Sequence, residues 1–132
     1  MDKICLLIVD DEKIVQRSCI DIFAEKSDRY EVHTVSSGEE AEALLLAGRR
    51  FDIILTDLKM PGLPGTDLIA KIRSKYPETA VIVITGYSTV QIAVEVMKAG
   101  AVDFIPKPFT PAEIFNVVEN VASKLKSRVH PK

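Results

Sequence analysis

The strongest constraint on this chain is an alternation. Short, almost unbroken runs of β-branched and leucine residues recur along it, separated by amphipathic stretches. The runs are Ile4–Val9, residues 53–55 and residues 81–84. Continuous apolar runs of this length read as strands covered on both faces, the environment inside a parallel sheet. Tyr30–Val35 differs. There Tyr30, Val32 and Thr34 alternate with Glu31, His33 and Val35, a half-solvated pattern that suits an edge strand. Residues 103–105 form a short fifth candidate.

Helical patterns fill the gaps. Residues 13–25 place Ile14, Val15, Cys19, Ile22 and Phe23 at helical spacing. Residues 37–47 open with Ser37 and carry Glu40 three positions on, a capping-box arrangement, and Gly48 stops them. Residues 67–75 end before Pro77, and Thr89 can cap residues 90–98, which Gly100 ends. Pro111 suits the first turn of a last helix over residues 112–126. Five β-α repeats predict one doubly wound parallel sheet with helices on both faces and right-handed crossovers. The edge pattern of Tyr30–Val35 favours strand order 2-1-3-4-5. Residues 1–126 then form one domain, and 127–132 read as a basic, frayed tail or the start of a linker.

Composition narrows the class. A chain of 132 residues with 47% hydrophobics can bury roughly two-thirds of its unfolded surface and needs no staple. Seventeen Lys and Arg against nineteen Asp and Glu leave a net charge of −2, which argues against direct nucleic-acid binding. The run at Ile4–Val9 is too short to span a bilayer and leads into acids, unlike a signal peptide. Cys5 and Cys19 make neither a disulfide framework nor a metal-site spacing, and both sit in packed segments. These features point to a soluble, reduced, cytoplasmic protein.

The chemistry lies in the carboxylates. In an open parallel α/β sheet, ligands bind beyond the carboxyl ends of the strands where strand order reverses, here between strands 1 and 3. Strand 1 leads into Asp10-Asp11-Glu12 and strand 3 into Thr56-Asp57. Three aspartates therefore converge on the expected crevice. Such crowding needs compensation, and an all-oxygen cluster suits a hard divalent cation such as Mg²⁺. Helix capping ahead of Lys13 is the plain alternative for Asp10 and Asp11, and a turn for Asp57. Their joint placement at the switch point weakens both. Strand 4 ends in Thr85-Gly86 and strand 5 in Pro106-Lys107-Pro108. A hydroxyl, a backbone N–H beside glycine and one ammonium would suit a phosphoryl group on Asp57. The Lys107-Pro108 bond is a candidate for the cis form.

These pieces together resemble the receiver domain of two-component response regulators. The carriers are Asp10-Asp11-Glu12, Asp57 with Met60-Pro61-Gly62, Thr85-Gly86, Ala99-Gly100-Ala101 and residues 103–109. The likeness spans about residues 3–126 and is greatest to receivers of the nitrogen-regulation and dicarboxylate-transport type. It implies a phospho-accepting signalling switch, not a turnover enzyme on an external metabolite. In that reading Asp57 accepts a phosphoryl group from a sensor histidine kinase or phosphotransfer protein. Asp11 binds Mg²⁺ directly, Asp10 mostly through water, and the Lys59 carbonyl adds a ligand. Thr85 and Lys107 hold phosphoryl oxygens. Lys59 and Tyr87 modulate the lifetime of the mark. Phe104, where many members carry Tyr, switches with Thr85 as an apolar ring.

The resemblance also implies an output face built from helix 4, strand 5 and helix 5. On residues 90–98, Gln91, Glu95 and Lys98 form a narrow polar stripe. Ala93, Val94 and Met97 then read as the core face, and Ile92 and Val96 either as part of a deeply buried helix or as an apolar partner surface, for an output domain or for a phosphorylation-dependent homodimer. Competing classes are weaker. A Mg²⁺-dependent phosphatase with an Asp nucleophile would carry Asp-x-Asp at strand 1, where adjacent aspartates stand. A flavodoxin-like cofactor binder needs a phosphate loop where this chain has acids. A degenerate docking-only receiver would lack functional positions that are present here.

Overall fold

The structure, a computed structural model, describes residues 3–58, 65–86 and 89–129, with backbone alone at 65 and 126–129. The elements run β1 (Ile4–Val9), α1 (Lys13–Ala24), β2 (Tyr30–Val35), α2 (Gly38–Leu46), β3 (Ile53–Thr56), α3 (Gly65–Lys75), β4 (Ala80–Thr85), α4 (Val90–Ala99), β5 (Asp103–Pro106) and α5 (Pro111–Val129). Five parallel strands form one sheet in the order β2-β1-β3-β4-β5. The half-solvated pattern of β2 thus marks an edge, and the continuous apolar runs of β3 and β4 are buried throughout.

Side chains alternate across the pleat and feed two cores. Leu6 and Ile8 of β1 pack with Val15, Cys19 and Phe23 of α1 and with Ile114, Val118, Val121 and Ala122 of α5. Leu7 and Val9 pack the other way, against Ala41 and Leu45 of α2, Leu68, Ile69 and Ile72 of α3, and Val96 of α4. The first core closes with an aromatic trio: Phe23 lies 4.9 Å from Tyr30 and 5.8 Å from Phe115 between ring centroids. Burial pushes the Cys19 thiol up to about 12, which keeps it protonated and unreactive.

Local signals place the helices. Ser37 Oγ accepts the Glu40 N–H at 3.1 Å, and the Glu40 carboxylate takes the Ser36 N–H at 2.6 Å. Thr89 Oγ1 caps α4 by accepting the Ile92 N–H. A reciprocal box between Thr110 and Glu113 starts α5 around Pro111. That helix continues to Val129, so residues 127–129, expected as tail, are helical.

Helix α4 corrects one expectation. Val96 is fully buried and Ile92 packs partly against the same core, while Val94 and Met97 are 45% and 46% exposed. The proposed partner surface of Ile92 and Val96 is therefore an inward face. The reason is compositional: only Gln91, Glu95 and Lys98 break an otherwise apolar helix, so the pattern fixes its rotation poorly.

Candidate functional site

Pairing of β1 with β3, in register Val9 to Thr56, sets the residues that follow these two strands side by side. The Asp57 N–H donates to the Val9 carbonyl at 3.0 Å, and the Asp10 N–H to the Val35 carbonyl at 3.1 Å. Asp10 and Asp57 are buried, Asp11 is exposed, and one carboxylate oxygen from each lies within 4.8 Å of the others. Glu12, not an aspartate, occupies the cap position of α1, and its side chain makes no cap bond. Asp10 Oδ1 accepts the Glu12 N–H at 2.8 Å, which holds the carboxylate while leaving Oδ2 for other partners.

The cation arrives from the far edge of the sheet. Thr85 and Pro106 are paired in register, and the Lys107 N–H donates to the Thr85 carbonyl at 2.9 Å. The Lys107-Pro108 peptide is cis. Lys107 Nζ donates to Asp57 Oδ2 at 2.9 Å, Asp10 Oδ2 at 3.0 Å and Glu12 Oε1 at 2.8 Å. Three carboxylates at the strand ends thus share one ammonium. Partial burial works against its charge, but the hydrogen bonds it donates to Glu12, Asp57 and Asp10 outweigh that and hold the Lys107 ammonium well above its usual range. Burial is the main cause that pushes the Asp10 carboxyl up, opposed by the Glu12 amide and Lys107 and aided by the charge on Asp57.

The donor set fits a hard divalent cation. It is all oxygen, it comes from three aspartates, and it carries more negative charge than Lys107 offsets. Thr85 is buried at the end of β4 on the same rim, and Phe104 of β5 is half-buried against the core on the α4 side. Lys59 and Tyr87 lie outside the described residues, as do Met60, Pro61 and Gly62.

Two residues of this site escaped the sequence reading. Glu12 was visible only as a third acid in a row, and its share in Lys107 depends on the reach of residue 107. Gln16 gave no signal, since a polar residue within a helix ordinarily faces water. It is buried, and its Nε2 donates to the Asp10 carbonyl at 2.7 Å.

Residues 6–119 match the family described as the response regulator receiver domain. The chain is 36% identical over 122 residues to the regulatory protein AtoC of Escherichia coli (strain K12), covering 92% of this chain and 26% of that protein. It is 37% identical over 120 residues to the transcriptional regulatory protein FixJ of Rhizobium meliloti (strain 1021), covering 89% and 56%. The chain therefore spans about a quarter to a half of the length of these relatives. A response regulator receiver domain protein (CheY-like) from Methanospirillum hungatei JF-1 superposes with a TM-score of 0.87 at 27% identity, covering 96% of this chain and 99% of that one. NtrX from Brucella abortus superposes with a TM-score of 0.85 at 27% identity, covering 96% and 29%. Since the family match runs from β1 into α5 and takes in every strand end that builds this site, the chain belongs to the receiver domains of two-component response regulators, which are phosphorylated on aspartate.

Proposed function

We propose that Asp57 is the phosphoacceptor and that the chain works as a switch set by its phosphorylation. The observation that carries this is the bridge from Lys107 Nζ to both Asp57 and Asp10, which fixes one buried carboxylate beside a cation at the mouth of the switch-point crevice. An Asp57 oxygen attacks the phosphorus of a phosphohistidine on a sensor kinase or phosphotransfer protein. A P–O bond forms as the P–N bond breaks, and the bonding pair leaves with the imidazole, which departs neutral when its other nitrogen carries a proton. Lys107 pairs with a phosphoryl oxygen as charge collects there, and the Thr85 hydroxyl bonds another. Asp10, Asp11, Asp57 and the carbonyl of Lys59 would hold Mg²⁺, which supplies positive charge against the phosphoryl oxygens. The chain catalyses only its own phosphorylation and dephosphorylation, with Lys59 and Tyr87 setting the lifetime.

Output follows from a two-state equilibrium. Phosphorylation replaces the single negative charge of the Asp57 carboxylate with close to two on the phosphoryl oxygens, and this biases the equilibrium. Thr85 draws toward it, Phe104 turns inward, and the face of α4, β5 and α5 changes shape for an output domain or a second copy. Because Val90, Val94 and Met97 are the large exposed apolar residues of α4, they take the docking role in place of Ile92 and Val96. The setting is the cytoplasm; among the described residues no helix is long and apolar enough to cross a membrane. The Asp-nucleophile phosphatase reading is not favoured, since the chain matches the receiver family over most of its length.

The test is incubation with acetyl phosphate and Mg²⁺, then intact mass measurement. One added phosphoryl group is expected in the parent chain, and none in Asp57→Asn or after chelation. Phosphorylation persisting in Asp57→Asn, or absent from the parent, would overturn the assignment.

A further inference from the structure

Gln16 lies one helical turn inside α1, buried to 7% exposure, in a position where an amide needs partners. Its Nε2 donates to the Asp10 carbonyl at 2.7 Å, the Val35 carbonyl at 3.2 Å and Ser36 Oγ at 3.2 Å. A primary amide has two N–H groups, so three acceptors share them. The Val35 carbonyl also accepts the Asp10 N–H. The Asp10 residue is thus clamped at both ends: its N–H is held by β2, its carbonyl by α1, and its Oδ1 by the Glu12 amide. What remains unclamped by backbone is Oδ2, the oxygen directed to Lys107.

We infer that Gln16 is a positioning residue for the acidic site, fixing the Asp10 carboxylate in the direction that a divalent cation requires. The inference rests on the reading of Asp10 as a metal ligand. Its physical basis is that a ligand already immobilised by its surroundings loses less freedom on coordination, so groups outside the ligand set tune affinity. A purely structural Gln16 would instead satisfy the β2–α2 junction and leave metal affinity unchanged.

The experiment measures MgCl₂ binding to the full chain by titration calorimetry, together with the rate of phosphorylation by acetyl phosphate as Mg²⁺ is raised. Gln16→Met keeps the length and the packing but donates nothing. It should weaken Mg²⁺ binding by about 10-fold, while the maximal rate at saturating Mg²⁺ stays within about twofold. Gln16→Arg still donates, and although its charge opposes the metal, it should weaken binding less than Gln16→Met. If circular dichroism shows that Gln16→Met does not fold, Gln16→Asn, which withdraws the amide by one methylene, carries the same expectation. Unchanged Mg²⁺ affinity in the folded variant overturns the inference, as does an Arg variant no better than Met. A parent chain that binds no Mg²⁺ and takes no phosphoryl group overturns the reading of the site itself, which is a separate result.

Discussion

Lys107 Nζ sits 2.9 Å from Asp57 Oδ2, joining two residues 50 positions apart in the chain and on opposite sides of β4 in the sheet. The same nitrogen reaches Asp10 and Glu12, so one side chain ties the end of β5 to the ends of β1 and β3. Among the described residues, it is the cation that holds this rim together.

Removing that ammonium should therefore cost stability and not only activity. Lys107→Met leaves Asp10 and Asp57, both buried, without their shared donor. Loss of hydrogen bonds to charged groups gives an expected destabilisation of about 2 kcal/mol. Urea unfolding in the presence of a chelator should show a lower midpoint with an unchanged slope. Saturating Mg²⁺ should recover most of the difference, because a divalent cation supplies the missing positive charge and stabilises whichever folded form binds it. An equal midpoint loss with and without Mg²⁺ would mean that Lys107 acts through packing.

A second cluster gives a pH dependence far from the site. The Tyr30 hydroxyl donates to Glu119, and Arg29 Nη2 pairs with the same carboxylate at 2.5 Å, tying the start of β2 to α5. Partial burial disfavours the charge on Glu119, but Arg29 and Tyr30 together hold its carboxyl below the ordinary 4.5. Burial first, then Glu119, pushes the Tyr30 phenol above its ordinary 10.0. A lowered carboxyl stabilises the fold above about pH 4.5, and this contribution fades as pH falls through the folded-state value. A raised phenol stabilises below about pH 10 and loses that contribution as pH rises beyond it. The stability gap between parent and Glu119→Gln should therefore shrink below about pH 4.5, and that between parent and Tyr30→Phe above about pH 10. Gaps that stay constant across these windows would refute the coupling.

Gly100 ends α4 with φ +124°, a backbone conformation that side chains rarely adopt. A Cβ there would also fall 2.3 Å from Cγ of Arg73, whose guanidinium is anchored to the Pro77 and Thr79 carbonyls. Gly100→Ala should lose about 2 kcal/mol or more in chemical denaturation. Adding Arg73→Ala removes the 2.3 Å contact with Cγ, leaving Cβ at 3.2 Å, but does not relieve the backbone strain, so only part of the loss should return. Full recovery in the double variant would assign the whole effect to the collision.

Much of this was legible in the sequence because the decisive signals are of kinds that periodicity reports well. Runs such as Ile4–Val9 and the half-polar β2 distinguish central from edge strands, and that distinction sets the order 2-1-3-4-5. Once the order is set, Asp10 and Asp57 must stand together, since each follows a strand and those strands are neighbours. Lys107 follows by the same logic at the end of β5. Gln16 was not legible, because its value lies in donating to oxygens of Asp10 after β1, of Val35 in β2 and of Ser36, which only the folded chain assembles. The sharing of Lys107 by Glu12 was hidden for the same reason.

The rotation of α4 was the clearest failure, and it can be measured directly. Its apolar residues surround most of the helix, so two rotations bury comparable surface on paper; packing against α3 and the sheet selects the one that buries Val96. Val96→Ala should then cost about 2 kcal/mol through lost contacts and a residual cavity. Val94→Ala, at a half-exposed position, should stay within about 0.5 kcal/mol. Phosphorylation should separate the two in the opposite sense. Val94→Asp should leave the unphosphorylated fold intact yet weaken any phosphorylation-dependent self-association seen by light scattering, since its side chain lies beside Val90 and Met97 on the exposed apolar face. If instead Val94→Ala proves the more destabilising of the two alanine variants, the helix is rotated the other way, and Ile92 and Val96 return as the docking surface.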